Sequence, residues 1–530
     1  MSAVAAFDLI LFLMAVALVL ELLAGRLRMP PAAAFILGGG ALALIPGVPA
    51  IEFDPNLVLV LFLPPLLMSS AFFTSWRDIR ADLRIVLALA VGAVAFTTFL
   101  VGVVAHWVAP SLPWAACFAL GAILSPPDAV AAKAVLQRLP LPPRLVMLLE
   151  AESLVNDASG LVLYRFAVAA ALTGAFSARE AAVGFAILAA GGVAVGVAFG
   201  VATSWLLRVL RNSLHATVAS FLVSWASYIS AEHLGGSGVL STVTCGMIIG
   251  VTQHRYLSAN VRTQAQAVWE VVGFVMESFI FVLIGLSLRG ILDRLGGRSA
   301  DLTGLLPALA AIVGTVVVGR FVWIFWIGFA PHLLRPIRIL KEQKVPFAVQ
   351  LVMGWAGMRG VVSLAAALAL PAEFPGRDFI LAVTFVVILV TVLVQGGTLA
   401  PLARLLRVNR YGDAPKQAMG EAAARAQVVA AQLAEVERLS LQPDGTHRHP
   451  RLIDQYSYRF RATRNFAENT GLHTSIRDEH FQAVLSAVAA GRKELLRLHG
   501  GDEIHDSVLR AIEQELDLEE LTAQRWLRAR

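Results

Sequence analysis

Residues 150–160 read EAESLVNDASG, and they are flanked by PRLVMLL (143–149) and LVLYRFAVAAALT (161–173). A helix over 144–173 is about 45 Å long at a rise of about 1.5 Å per residue. That length is more than enough to cross a hydrocarbon core about 30 Å thick. Yet its middle carries Glu152, Ser153, Asn156 and Asp157. Glu152 with Asn156 and Ser153 with Asp157 are i, i+4 pairs, so the four residues form two adjacent stripes on one helix. An ion at that depth costs several kcal/mol unless it is paired, which makes each carboxylate a candidate for function.

The rest of the chain is consistent with this setting. Of its 530 residues 57% are hydrophobic and only 15% charged, and the mean hydropathy is +0.71. Such a composition lies outside the range of soluble domains and points to an all-α polytopic membrane protein. Thirteen apolar runs predict spans over 4–25, 30–46, 56–74, 84–108, 114–137, 144–173, 180–209, 214–232, 238–253, 265–290, 302–329, 346–370 and 378–405. The second and ninth are short and glycine-rich. The first run lacks a basic leader and is followed by Arg26 and Arg28, so it reads as a span with its N-terminus outside rather than a cleaved signal.

Loop charge supports that orientation. About eighteen Lys and Arg fall in alternate loops, including Arg77, Arg80 and Arg84, then Arg335, Arg338, Lys341 and Lys344. The intervening loops hold about five, which places the basic loops and the C-terminus in the cytoplasm. The formal charge of +6 is therefore spent on topology and does not point to nucleic acid. Cys117 and Cys245 both fall inside spans, where they pack as small apolar residues.

The membrane domain is read as residues 1–408, and residues 409–530 as a cytoplasmic, helical, regulatory tail. In the tail, 418–440, 478–498 and 505–530 have helical spacing, and QPDGTHRHP (442–450) marks a break. The tail histidines fit no metal-ligand spacing.

Two spans are interrupted. In ILSPPDAVAAKAV (123–135) Pro126 and Pro127 remove two backbone donors. In MGWAGMRGVVSLAAA (353–367) Gly354, Gly357 and Gly360 loosen the backbone around Arg359. A proline kink with small-residue packing accounts for either break alone. Together they lie seven spans apart and run in opposite senses, as expected of inverted repeats that place a transporter's binding site at two discontinuous helices.

Asp128 follows the prolines and is placed to cap the returning half-helix. Arg359 can neutralise one carboxylate, which leaves one acid of the sixth span without a fixed cation. In low dielectric such an acid takes up a proton or a mobile cation, two mutually exclusive guests. Asn156 and Ser153 could add neutral oxygens around a dehydrated alkali ion. Glu277 and Arg320, both near mid-depth, are expected to pair as a structural tie, with a pathway role for Glu277 as the alternative. Arg165 is expected to line the outer vestibule.

SPPDAVAA (125–132), EAESLVNDASGLVLYRFA (150–167) and GWAGMRGVVSLAAALALP (354–371) together closely resemble the bacterial monovalent cation/proton antiporters related to the animal sodium/proton exchangers. The resemblance covers the whole membrane domain. It implies that Asn156 and Asp157 are the family's Asn-Asp pair, with Asp157 the alternating carrier of proton and cation, and that Ser153 ligates the alkali cation. It also implies an internal Glu152–Arg359 ion pair, electroneutral exchange, a homodimer with an elevator-like core, no cofactor, and residence in a bacterial inner membrane.

The chain departs from the family at two places. Pro127 stands where many members have Thr, with Ser125 as a nearby substitute oxygen. In FLPPLLMSSAFF (62–73) Met68, Ser69 and Ser70 stand where some relatives have an acid. Both departures bear on whether Na+, Li+ or K+ is preferred. Against this reading, a proton-coupled solute transporter should show more aromatic and hydrogen-bonding residues at the breaks. A channel should show a ring of carbonyls or acids, and a membrane enzyme a nucleophile–base set.

Overall fold

The computed structural model describes residues 3–27, 29–45, 55–128, 141–174, 178–210, 212–294, 305–333, 345–411, 421–468, 474–501, 503–504 and 506–528. The second half of the interrupted fifth span (129–137), the basic loop 334–344 and His473 lie outside them. The chain divides into two compact units, Met1–Gly412 and Asp413–Arg530.

Every regular element among the first unit's described residues is a helix: α1 (Ala3–Leu27), α2 (Pro31–Ala43), α3 (Pro55–Phe73), α4 (Trp76–Ala81), α5 (Leu83–Val108), α6 (Trp114–Leu124), α7 (Pro143–Thr173), α8 (Ala178–Val209), α9 (Ser213–His233), α10 (Gly238–Tyr256), α11 (Ala259–Arg294), α12 (Leu306–Leu333), α13 (Phe347–Trp355), α14 (Val361–Leu368) and α15 (Arg377–Leu405). Among the described residues seven helices are long and apolar enough to cross a membrane: α1, α5, α7, α8, α11, α12 and α15. Three shorter apolar helices, α2, α6 and the 59–73 part of α3, accompany them. α9 and α10 lie where two further spans are expected, but they are more polar. Their serines are buried against each other, with Ser227 and Ser241 hydroxyls 2.7 Å apart. π-helical turns interrupt α5 at Ala88–Ala93 and α15 at Thr391–Gln395.

Glycine explains why α2 and α10 look so unlike ordinary spans. A Cβ on Gly39 would stand 2.2 Å from the Val282 carbonyl oxygen, and one on Gly285 would stand 2.3 Å from that of Ile36. α2 and α11 therefore pack backbone to backbone. Gly192 and Gly196 of α8 meet the carbonyls of Ser237 and Ser241 at 2.5 and 2.4 Å in the same sense. Small residues at four-residue spacing let membrane helices approach without large side chains between them.

The two diproline pairs behave differently. Pro64 and Pro65 sit inside the continuous α3, where the missing Pro64 N–H orphans the Val60 carbonyl. The Trp225 indole donates to that carbonyl at 3.0 Å, so the helix continues. Pro126 and Pro127 instead end α6 at Leu124; the Ser125 hydroxyl donates to the Ala122 carbonyl at 3.0 Å, and the chain leaves the helix.

The second unit contains α16 (Glu421–Ser440), α17 (Pro450–Glu468), α18 (Thr474–Gly500) and α19 (Asp506–Arg528). α16 packs on α17 and α18 on α19. The turn between α16 and α17 uses Gly445 at φ +80°, and the Asp444 carboxylate accepts from the Thr446 hydroxyl and N–H at 2.7 and 2.9 Å. Those bonds hold the Asp444 carboxyl below its usual range. Trp526 stacks on Phe481 at 5.3 Å, with the Arg425 guanidinium 4.1 Å over its ring. α17 was not anticipated, because its apolar residues are diluted by four arginines.

Candidate functional site

The two breaks meet. The Asp128 N–H donates to the Met358 carbonyl at 2.7 Å, joining the chain after α6 to the chain between α13 and α14. α7 completes the crossing: the Asn156 amide nitrogen donates to the Pro127 carbonyl at 2.7 Å, a group freed by the break. Asn156 is fully buried, and its amide oxygen has no hydrogen-bond partner among the described residues. Non-helical backbone survives at this depth because each break supplies partners to the other.

Asp128 also lies against the second break. Its carboxylate lies over Gly360, so close that a Cβ there would fall 1.7 Å from Oδ2. Gly360 is the residue before the first turn of α14, so the carboxylate meets the positive end of that half-helix. Its role toward its own returning segment lies outside the described residues. Gly160 packs as closely, with a virtual Cβ 2.3 Å from the Pro126 ring, which seats α7 against the first break.

The buried ion pair is a correction to the sequence reading. Glu152, 1% exposed, accepts from both Arg320 terminal nitrogens, at 2.6 and 3.0 Å, and Arg320 Nε donates to the Met353 carbonyl at 3.1 Å. The partner of Glu152 is thus Arg320 of α12, neither Arg359 as the resemblance implies nor part of a Glu277–Arg320 tie. Bidentate geometry explains the preference, since the planar guanidinium satisfies both carboxylate oxygens at once. Gly357 makes room for it, because a Cβ there would stand 2.1 Å from Arg320 Cδ. Arg320 is a mid-span cation, which was legible; its choice between two mid-depth acids was not. Glu277 is half-buried on α11.

Arg359, also 1% exposed, donates from Nη1 to the Gly357 carbonyl at 3.0 Å, and its Nε has no hydrogen-bond partner among the described residues. Its backbone N–H donates to the Thr391 hydroxyl at 3.0 Å. Thr391 opens the π-helical turn of α15, a contact that no motif announced.

Asp157 remains. It is 8% exposed, one residue from Asn156, and makes no hydrogen bond or ion pair with any described residue. It is near enough to Asp128 for their charges to interact. Ser153 is half-buried one turn earlier on α7, and Ser125 is buried at the end of α6. Ser69 is half-buried on α3, which packs on α7 and α14, and no hydrogen bond ties it to the crossing among the described residues. Arg165 pairs with Glu232 at 2.8 Å.

The profile of the family described as sodium/hydrogen exchanger, transmembrane, matches residues 11–405. The chain belongs to that family. Its substrates are accordingly a monovalent cation and a proton, it is a transporter rather than an enzyme, and it is a multi-pass membrane protein. An uncharacterized Na+/H+ exchanger of Mycobacterium tuberculosis is 32% identical, over 97% of this chain and 95% of that one. A sodium, potassium, lithium and rubidium/H+ antiporter of Bacillus pumilus is 34% identical, over 69% of this chain and 56% of that one. The sodium proton antiporter MjNhaP1 of Methanocaldococcus jannaschii, solved at pH 8, shares the fold with a TM-score of 0.61. It is 20% identical over 77% of this chain and 99% of that one.

Proposed function

We propose that this exchanger carries Na+ one for one against H+, with Asp157 binding either guest and never both. The observation that supports it is the contrast within α7: Glu152 is neutralised by Arg320, whereas Asp157 is buried with no partner among the described residues. A buried carboxylate without a fixed cation must take a mobile one or a proton. Asn156 and Ser153 supply neutral oxygens on the same helix, and Ser125 and Asp128 stand at the facing break. Because one acid alternates between two monovalent guests, the cycle moves no net charge.

In this reading thirteen spans, N-terminus outside, carry the site between the two faces of a bacterial inner membrane as part of a homodimer. The 409–530 tail regulates the cycle from the cytoplasm. A second reading prefers K+ or accepts several alkali ions. It is favoured by Pro127 in place of the family threonine and by Met68 and Ser69 in place of an acid, and by a relative named for four alkali ions. Everted vesicles with a respiration-generated pH gradient test both readings. Collapse of the gradient by Na+ or Li+ supports the first, and collapse by K+ at comparable concentration supports the second. No collapse with any of the three across pH 6 to 9 would overturn both.

A further inference from the structure

A cavity of about 680 Å³ lies between α5, α6, α7 and α8. Its walls are alkyl and aromatic, with Val91, Phe118, Val162 and Phe166 among them, and Thr98 and Ser159 the hydroxyls. Such a space is poor for water or a dehydrated ion, since an apolar cavity stays dry and accepts apolar guests. Its size falls within the roughly 300–1,000 Å³ that houses a small ligand.

The surroundings identify the guest. Phe99, Leu172, Val183 and Ile187, from three of the four helices, are large, apolar and 52–63% exposed, so the cavity sits beneath a surface that faces hydrocarbon. At one end Trp114 lines the wall and stacks on His106 at 4.0 Å, as aromatic residues do at the membrane–water boundary. At that same end α8 begins: Ala182 and Phe185 line the cavity, and the exposed Arg179 stands one turn before Ala182 on the same helix face. An apolar slot within the hydrocarbon layer, with a guanidinium one turn beyond its mouth, matches a two-part amphiphile.

We infer that this cavity binds one acyl tail of a membrane phospholipid whose phosphate is held by Arg179. Ser159 lies two residues from Asp157 on α7, so the tail packs against the helix that carries the exchange site. Native mass spectrometry of the full-length protein, after exhaustive detergent washing and re-addition of phosphatidylglycerol, tests the assignment. The wild type should retain one phospholipid, Ala170→Phe should reduce its occupancy about tenfold by filling the slot, and Arg179→Ala should weaken it several-fold. Ala182→Phe, at the exposed rim, provides a second blocking variant should Ala170→Phe fail to fold. Equal retention by wild type and a folded blocking variant would overturn the site. Retention of oleate in preference to phosphatidylglycerol, unaffected by Arg179→Ala, would overturn the phospholipid assignment.

Discussion

Glu152 and Asp157 stand five residues apart on one helix, both almost wholly buried, and they have opposite surroundings. Glu152 has both oxygens occupied by the Arg320 guanidinium. Asp157 has no such partner among the described residues and stands next to Asn156, which bonds to the first break. In the proposed exchange cycle the same functional group therefore serves assembly at one position and exchange at the other. What separates the roles is the presence of a fixed cation, not burial.

That contrast can be broken at several points. The largest effect is expected at Asp157: Asp157→Asn should reduce cation-driven proton movement in vesicles to background while the purified protein keeps its elution profile and melting temperature. Next comes the buried pair. Removing one partner of a buried ion pair costs about 3–5 kcal/mol, because the other charge is stranded. Arg320→Gln should therefore sharply lower expression and thermal stability, and Glu152→Leu with Arg320→Met should recover much of the loss. Arg359→Gln should cost less than Arg320→Gln in the same melting experiment; the reverse order would return the pair to Arg359.

A smaller and more selective effect is expected at the crossing. Gly360→Ala drives a methyl group into the Asp128 carboxylate, so exchange should fall several-fold with folding largely kept. If Gly360→Ala transports like the wild type, the carboxylate does not need the α14 terminus. The smallest effect belongs to the other diproline. Trp225→Phe withdraws one donor from the Val60 carbonyl, a loss of about 1 kcal/mol visible as a modest drop in melting temperature, with exchange unchanged.

The sequence was most informative where a residue type contradicts its surroundings. A proline pair or a carboxylate inside an apolar run has few explanations, so the two breaks and the polar face of α7 were legible without a structure. Yet FLPPLL and ILSPPD are nearly alike as strings, and only one ends its helix. The difference is a tryptophan 161 residues beyond Pro64 that takes up the orphaned carbonyl, which no local pattern contains. The partner of Glu152 was hidden for the same reason. Two mid-depth arginines, Arg320 and Arg359, were both available, and the choice rests on the space that Gly357 leaves beside Arg320. The helix at Pro450–Glu468 was missed because frequent arginines masked a weak apolar stripe.

The central claim is that one acid holds either a proton or a cation. Proton release on adding Na+ to the purified, detergent-solubilised protein, in weakly buffered solution near neutral pH, measures it directly. The account predicts saturable release approaching about one proton per cation bound in the wild type, and none in Asp157→Asn, because a guest that displaces a proton must lower the number bound. Equal release from both proteins, or cation binding by wild type with no proton released, would contradict it.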